Sequence, residues 1–240
     1  MSDARTQSGR TYYRCDGIDE HSLEPRLFDP AWLHENNLIT SQSSQGRGFA
    51  AHISFEEQAL VLRRYCRGGL VRHFSHDQFV WLGLQRARPY CEFELLREMT
   101  RLGLPCPRPY ACQVVHSGLY YSGALIMHEI PQAATLADIL CRREVSDLEW
   151  TAVGACLRRF HDASVYHSDL NANNILLNNE GEVFLIDFDK SCFRRGTGGQ
   201  WKSATLKRLK RSIMKCRAKA DIFYFDPAHW DVLRDGYLAQ

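Results

Sequence analysis

Within His167-Ser168-Asp169-Leu170-Asn171-Ala172-Asn173-Asn174 the chain sets a carboxylate and a carboxamide five positions apart. Asp187, in Ile186-Asp187-Phe188-Asp189, follows Asp169 by eighteen. A five-residue separation in a tight loop lets Asp169 and Asn174 face one site. Between them and Asp187 lie two short apolar runs, Asn174-Ile175-Leu176-Leu177 and Val183-Phe184-Leu185-Ile186, around Asn178-Asn179-Glu180-Gly181, a segment with hairpin-turn chemistry. Such a hairpin would return Asp187 beside the first pair. The chemistry this set suits is phosphoryl transfer: one carboxylate orients a hydroxyl and takes its proton, while an amide oxygen and a second carboxylate hold Mg²⁺ against phosphates. The bland alternative is that aspartates after strands merely form turns. A lone D-F-D or H-x-D is commonplace, whereas three polar ligands around a hairpin are not.

The elements that must position these side chains divide the chain into two halves. Residues 1–25 read as a polar, irregular lead-in. Segments near 38–43, 49–55 and 59–65 read as short strands, the first two separated by Ser43-Ser44-Gln45-Gly46-Arg47-Gly48. Phe93, Leu95, Leu96, Met99 and Leu102 then recur at helical spacing over 88–102, closed by Gly103. After a connection carrying Pro105, Pro107 and Pro109, strands are expected at 111–116 and 123–128. Beyond them, 134–143 and 146–162 read as helices, and Ser146 and Glu149 have capping-box spacing. A further helix over 201–217 puts Leu206, Leu209, Ile213 and Cys216 on one stripe, and the aromatic tail from Phe223 to Tyr237 packs back on the body. The domain expectation is residues 1–128 and 129–240, joined near 128–132.

The catalytic stretch resembles the H-x-D-L-x-x-x-N and D-F-G loops of the protein-kinase-like superfamily. That resemblance implies an α+β, two-lobed protein-kinase-like fold, with a small antiparallel-sheet N-terminal lobe and a mainly helical C-terminal lobe. It also implies ATP and Mg²⁺ as cofactors, Asp169 as catalytic residue, and Asn174 and Asp187 as metal ligands. Gly46, Arg47 and Gly48 fall where the superfamily covers phosphates with backbone amides, although Ala51 stands where a further glycine is usual. The third strand holds no lysine where a phosphate-pairing lysine is expected, so Arg63 or Arg64 takes that place. Glu92, on the helical face of Leu95 and Leu96, is its expected partner, with Glu94 and Glu98 as competitors. Glu129 and Ile130 fall at the segment that meets adenine. Asp189 replaces the glycine of D-F-G, the H-R-D arginine is absent and no A-P-E follows. These departures point away from a regulated protein kinase.

Four stretches narrow the resemblance: Val61-Leu62-Arg63-Arg64-Tyr65 with Arg67-Gly68-Gly69-Leu70, Gly103 to Pro109, His167 to Leu177, and Trp201 to Ser212. Together they are similar to the 3-deoxy-D-manno-octulosonic acid (Kdo) kinase family, a branch of the lipopolysaccharide-core kinases, from about residue 40 to the C-terminus. The likeness implies phosphorylation of the 4-hydroxyl of a Kdo residue on the lipid A precursor, at the cytoplasmic face of the Gram-negative inner membrane, by a peripheral protein. A heptose kinase or an antibiotic phosphotransferase shares the Asp/Asn/Asp arrangement and stands as the alternative within catalysis. A pseudokinase, or a module binding an anionic polymer, is the alternative outside it.

Composition sets the outer bounds. The chain has 240 residues, 45% hydrophobic and 24% charged, which is ordinary for a globular protein and too apolar for disorder. Met1-Ser2-Asp3-Ala4-Arg5 carries no apolar core, so export is not expected, and no aliphatic run approaches a membrane span. The nine cysteines include no C-x-x-C pair and suggest neither a zinc site nor a disulfide framework. A net charge of +2 conceals an asymmetry: between Lys190 and Ala220 lie eleven basic residues and no acid, so the remainder, with 19 basic and 28 acidic residues, carries −9. The basic stretch suits an anionic glycolipid and an anionic membrane surface. It lacks the aromatic interleaving of a nucleic-acid reader, so no nucleic acid is expected as a partner; no obligate protein partner is inferred.

Overall fold

The structure, a computed structural model, describes residues 4–7, 10–14, 23–43, 49–66, 78–194 and 198–239. The chain forms two compact units, Met1–Glu98 with Arg108–Glu129, and Met99–Pro107 with Ile130–Gln240. The last turn of the first long helix and the proline-rich connection therefore go with the second unit.

The first unit is built on an antiparallel sheet. β1 (Ala4–Gln7) and β2 (Arg10–Arg14) form a hairpin. The irregular lead-in expected from composition is thus partly strand: β2 pairs onto the sheet, so its backbone groups are satisfied by a neighbour rather than by an apolar pattern of its own. A 3-10 turn at Pro25–Phe28 leads into α1 (Pro30–Glu35), whose start is fixed by the Asp29 carboxylate accepting from Ala31 N at 3.0 Å and by Pro30 in the first turn. This short helix has too few turns to leave a periodic signal. β3 (Ile39–Ser43), β4 (Phe49–Phe55) and β5 (Gln58–Arg64) then form a meander, and β6 (Phe79–Val80) is a short addition. α2 (Arg88–Arg101) follows, and then β7 (Pro109–Ser117) and β8 (Tyr120–His128). The sheet order is β1-β2-β7-β8-β5-β4-β3, with β6 paired to β8.

Strand alternation decides what each face does. Leu60 and Leu62 of β5 join Ile53, Tyr110, Ala111, Ala124 and Ile126 in a core closed by Leu27, Phe28 and Leu33. Val61 and Arg63 alternate to the opposite face, and Arg63 lies opposite Leu125 in the register. The segment 23–35 is therefore the cover that makes one face of the sheet a core.

The second unit is mainly helical. β9 (Ala133–Thr135) opens it and pairs with a later strand, so the helix expected over 134–143 shrinks to α3 (Leu136–Leu140), started by a Thr135 side-chain cap. α4 (Asp147–Asp162) begins with the expected capping box: Ser146 Oγ accepts from Glu149 N at 3.3 Å and the Glu149 carboxylate accepts from Ser146 N at 2.8 Å. Then come β10 (Val165–Tyr166), β11 (Ile175–Asn178), β12 (Val183–Leu185) and β13 (Cys192–Phe193); β11 and β12 form the expected hairpin. β10 pairs with β13, strapping the two ends of the intervening loops together.

α5 (Gln200–Arg217) and α6 (Pro227–Leu238) complete the unit. On α5 the buried positions are Thr205, Leu209 and Ile213, so the apolar stripe packs inward, while Leu206 is only half-buried. α6 lies against α4 where Gly154 meets Gly236. A Cβ on Gly154 would fall 2.0 Å from Leu233 O, and one on Gly236 would fall 2.4 Å from Thr151 O. Buried His161 joins three helices: its Nε2–H donates to Thr205 Oγ1 at 3.0 Å, and its Nδ1 accepts from Tyr237 OH at 2.9 Å. Among the described residues no helix is long and apolar enough to cross a membrane.

Candidate active site

The second unit builds its site from two loops stitched together at four points. Ile186 N donates to Asn174 O at 3.0 Å. His167 Nε2–H donates to Ile186 O at 2.9 Å. Ser168 Oγ donates to Asp189 O at 2.6 Å, and Ser168 N donates to Ser191 Oγ at 3.0 Å. Residues 167–174 and 186–191 are thereby one ladder, with Asp187 next to its central rung. Asp187 holds a left-handed backbone, φ 61°, which is costly for a residue with a Cβ and persists only where the surroundings enforce it. Phe188 supplies the enforcement: 1% exposed, its ring lies 4.8 Å from that of His167 and 5.7 Å from that of Phe160.

His167 sets the register of the loop 167–174. Its Nε2–H is spent on Ile186 O, so Nδ1 is the acceptor that takes Asp169 N–H at 3.2 Å. Burial pushes the imidazole below its ordinary range, and the neutral ring is the form that both bonds require. The carboxylates of Asp187 and Asp169 both act on this ring and pull the other way.

Asp169 is exposed and held from both sides. Asn171 Nδ2 donates to its backbone carbonyl at 2.9 Å and reaches Oδ2 at 3.3 Å, and Arg208 Nη1 lies 3.4 Å from Oδ1. Asn171 Oδ1 in turn accepts from Asn173 N at 2.9 Å, starting the 3-10 turn Ala172–Asn174. That turn buries Asn174, whose Nδ2 donates to Asp169 O at 2.9 Å. With its nitrogen committed, Asn174 turns an Oδ1 outward that accepts no hydrogen bond among the described residues.

The structure thus gathers Asp169, Asn174 and Asp187 on one ladder. No cluster of three or more His, Cys, Asp or Glu stands among the described residues as a metal cage. Mg²⁺ does not require one, because it is commonly bound by one or two carboxylates together with substrate phosphates. The unspent amide oxygen of Asn174 beside the Asp187 loop fits such an ion.

In the first unit, Arg63 and Glu92 meet. Arg63 Nη1 donates to Glu92 Oε1 at 2.9 Å, and Tyr65 OH donates to Oε2 at 2.5 Å. The Arg63 guanidinium lies 4.9 Å over the Tyr65 ring, and Glu92 is 3% exposed. Arg64 is on the other strand face, paired in register with Ala124. Glu94 pairs with Arg97 on its own helix. Glu129 closes this unit, its N–H donating to Ala59 O at 2.9 Å and its carboxylate lying 3.0 Å from His52 Nδ1. Its amide is therefore spent. The Ile130 amide, which opens the second unit, makes no hydrogen bond among the described residues. Gly46, Arg47 and Gly48 lie outside the described residues.

The residues that sequence reading missed are the ones that hold the ladder. Ser168 and Asn171 lay inside the quoted motif but had no role. Arg208 and Ser212 come from α5: Arg208 Nη1 also donates to Ser168 O, and Ser212 Oγ accepts from Ala172 N at 3.1 Å. Their four-residue spacing on one helical face was the available signal.

Residues 31–237 match the model of the "Lipopolysaccharide kinase (Kdo/WaaP) family". The chain belongs to this family. Relatives named 3-deoxy-D-manno-octulosonic acid kinase include one from Xylella fastidiosa (strain M23), 36% identical over 90% of this chain and 84% of its own length. Another, from Photobacterium profundum, is 37% identical over 86% of this chain and 85% of its own length. One from Vibrio cholerae is 37% identical over 81% and 82%. Membership of the Kdo/WaaP family carries the protein-kinase-like α+β fold expected from the motifs, and as a kinase family it implies ATP as phosphoryl donor.

Proposed function

We propose that the protein transfers the γ-phosphoryl group of ATP to the 4-hydroxyl of a Kdo residue on the lipid A precursor, working as a peripheral protein at the cytoplasmic face of a Gram-negative inner membrane. The observation that carries the reading is the ladder that joins Asp169 and Asn174 to the Asp187 loop. The names of the relatives supply the acceptor.

The chemistry follows from the type and placement of each side chain. Asp169, steadied by Asn171 and Arg208, accepts the hydrogen bond of the sugar hydroxyl and so aims its oxygen at phosphorus. The acceptor oxygen–phosphorus bond forms as the bond to the ADP oxygen breaks, and the hydroxyl proton passes to Asp169 late in transfer. Asn174 Oδ1 and the Asp187 carboxylate would hold Mg²⁺. When bound, that ion neutralises phosphate charge. Arg63, braced by Glu92 and Tyr65 within the first unit, is the basic residue that stands in for the superfamily's phosphate-pairing lysine.

The test offers γ-labelled ATP with a Kdo-bearing lipid A precursor, a heptosylated core and an aminoglycoside. Label should enter the Kdo acceptor alone, and label only in another acceptor replaces this reading. Asp169→Ala should abolish transfer yet still bind nucleotide in an equilibrium assay; near-normal turnover would remove Asp169 from the role of base.

A further inference from the structure

Arg208 is the cation of the acid-free segment that α5 carries back to the catalytic loop. Leu209 and Ile213, both 0% exposed, fix the helix face next to it, and Ser212 binds the same loop one turn later. The guanidinium is held by one nitrogen: Nη1 donates to Ser168 O and lies 3.4 Å from Asp169 Oδ1. Nε and Nη2 make no hydrogen bond with the described residues, and the side chain is 42% exposed. Those two nitrogens form the parallel edge of the fork, whose spacing matches the two oxygens of a planar carboxylate. An oriented, unspent carboxylate clamp thus stands beside the group that takes the acceptor's proton.

We propose that Arg208 is a specificity-determining residue whose Nε–Nη2 edge binds the sugar carboxylate of the acceptor. This rests on the reading above that the acceptor is an acid sugar. In such a sugar the carboxylate sits a few bonds from the reacting hydroxyl, so a hydroxyl placed on Asp169 brings the carboxylate to a cation at Asp169's shoulder. A neutral sugar would leave the fork without a partner, and a site built to pair a group discriminates strongly against substrates lacking it.

The experiment compares a Kdo-bearing lipid A precursor with its counterpart carrying a carboxamide in place of the Kdo carboxylate, in the wild-type protein, in Arg208→Gln and in Arg208→Lys. The wild type should prefer the acid by at least ~10-fold in kcat/KM, the scale of a charge-assisted pair. Arg208→Gln should raise the KM for the acid and bring the two acceptors close to parity. Arg208→Lys keeps a charge near Ser168 O but loses the fork, and should recover only part of the preference. A preference that survives intact in Arg208→Gln, including one that survives while kcat collapses, overturns the assignment and leaves Arg208 as a prop of the loop or a partner of the phosphoryl group. Should both variants fail to fold, the wild type still decides, because equal use of acid and amide overturns the proposal. A wild type that phosphorylates neither acceptor overturns the acid-sugar reading and the assignment with it.

Discussion

Glu92 shows how a single buried charge can be made useful. It is 3% exposed, and its carboxylate is held by Arg63 and by the Tyr65 hydroxyl. A buried pair of this kind adds little net stability over apolar residues, yet removing one partner leaves a charge stranded. Arg63→Met should therefore cost about 3–5 kcal/mol in urea unfolding. Arg63→Met combined with Glu92→Gln should regain part of that loss, since no full charge then stays buried. Equal destabilisation of the single and double variants would mean the pair is held by packing rather than by charge. The sequence offered Arg63 and Arg64 as equals, and strand alternation separates them. It also offered Glu92, Glu94 and Glu98, and only the structure shows that Glu92 takes Arg63 while Glu94 takes Arg97. Of the candidate site, the approach of Asp169 and Asn174 to the Asp187 loop was readable, because the three stand at fixed offsets in a loop and hairpin. The supports were not. Ser168, Asn171, Arg208 and Ser212 act through backbone groups, and a hydroxyl or guanidinium that binds a carbonyl leaves no mark beyond being polar.

Elements with a strong period were legible and those held by pairing were not. α2, α4 and α5 carry apolar residues every three or four positions, and β4, β5, β7 and β8 alternate or run apolar. α1 has six residues, and β1, β2 and β9 owe their form to a neighbouring strand, which no local pattern records. The α4–α6 contact is a further hidden constraint, resting on Gly154 and Gly236. Gly154→Ala should lower stability by about 3 kcal/mol, because the added Cβ meets backbone atoms that cannot rotate away. A melting temperature within a degree of wild type would show that the helices slide apart freely. α5 belongs to this scale too. With Leu209 and Ile213 turned inward, Lys207, Lys210, Arg211, Lys215, Arg217 and Lys219 remain on the exposed side, near half-exposed Met214. Each such cation near an anionic surface contributes about 1 kcal/mol. Replacing Lys207, Lys210, Arg211 and Lys215 by Gln should abolish co-sedimentation with phosphatidylglycerol vesicles at low salt. Binding that is undiminished by the substitutions would point to a different membrane-facing surface.

For the whole molecule, pH acts in each unit separately, through histidines held in the neutral form. In the first unit, burial and then Arg108 push His128 down to about 4, and its Nε2 accepts from Arg108 Nη2 at 2.9 Å. In the second, burial and then Lys202 push His161 down to about 4, and burial also depresses His167. A folded-state value below the unfolded value of about 6.5 means that the unfolded chain binds protons which the folded chain refuses. The contribution of these rings is complete above about pH 6.5 and is lost as pH falls from there toward about 4. Glu149 does not blur this window. Held at about 2 by Arg143 and then by Ser146 N, it begins to lose its contribution only below the ordinary carboxylate range. Stability should therefore fall by about 3 kcal/mol between pH 7.5 and 5.5, roughly 1.3 for each fully buried ring, with His128 counted at less than full weight because it is half in solvent. Urea midpoints at pH 7.5, 6.5 and 5.5 measure this directly, and a flat profile would mean that the rings find water or partners once protonated. The two units need not respond alike. His161 ties α4, α5 and α6 together, and His167 holds the register of Asp169, so the second unit carries two of the three protonation penalties. A probe there, such as the fluorescence of Trp150 or Trp201, should lose its midpoint faster with acid than one at Trp32 or Trp81 in the first.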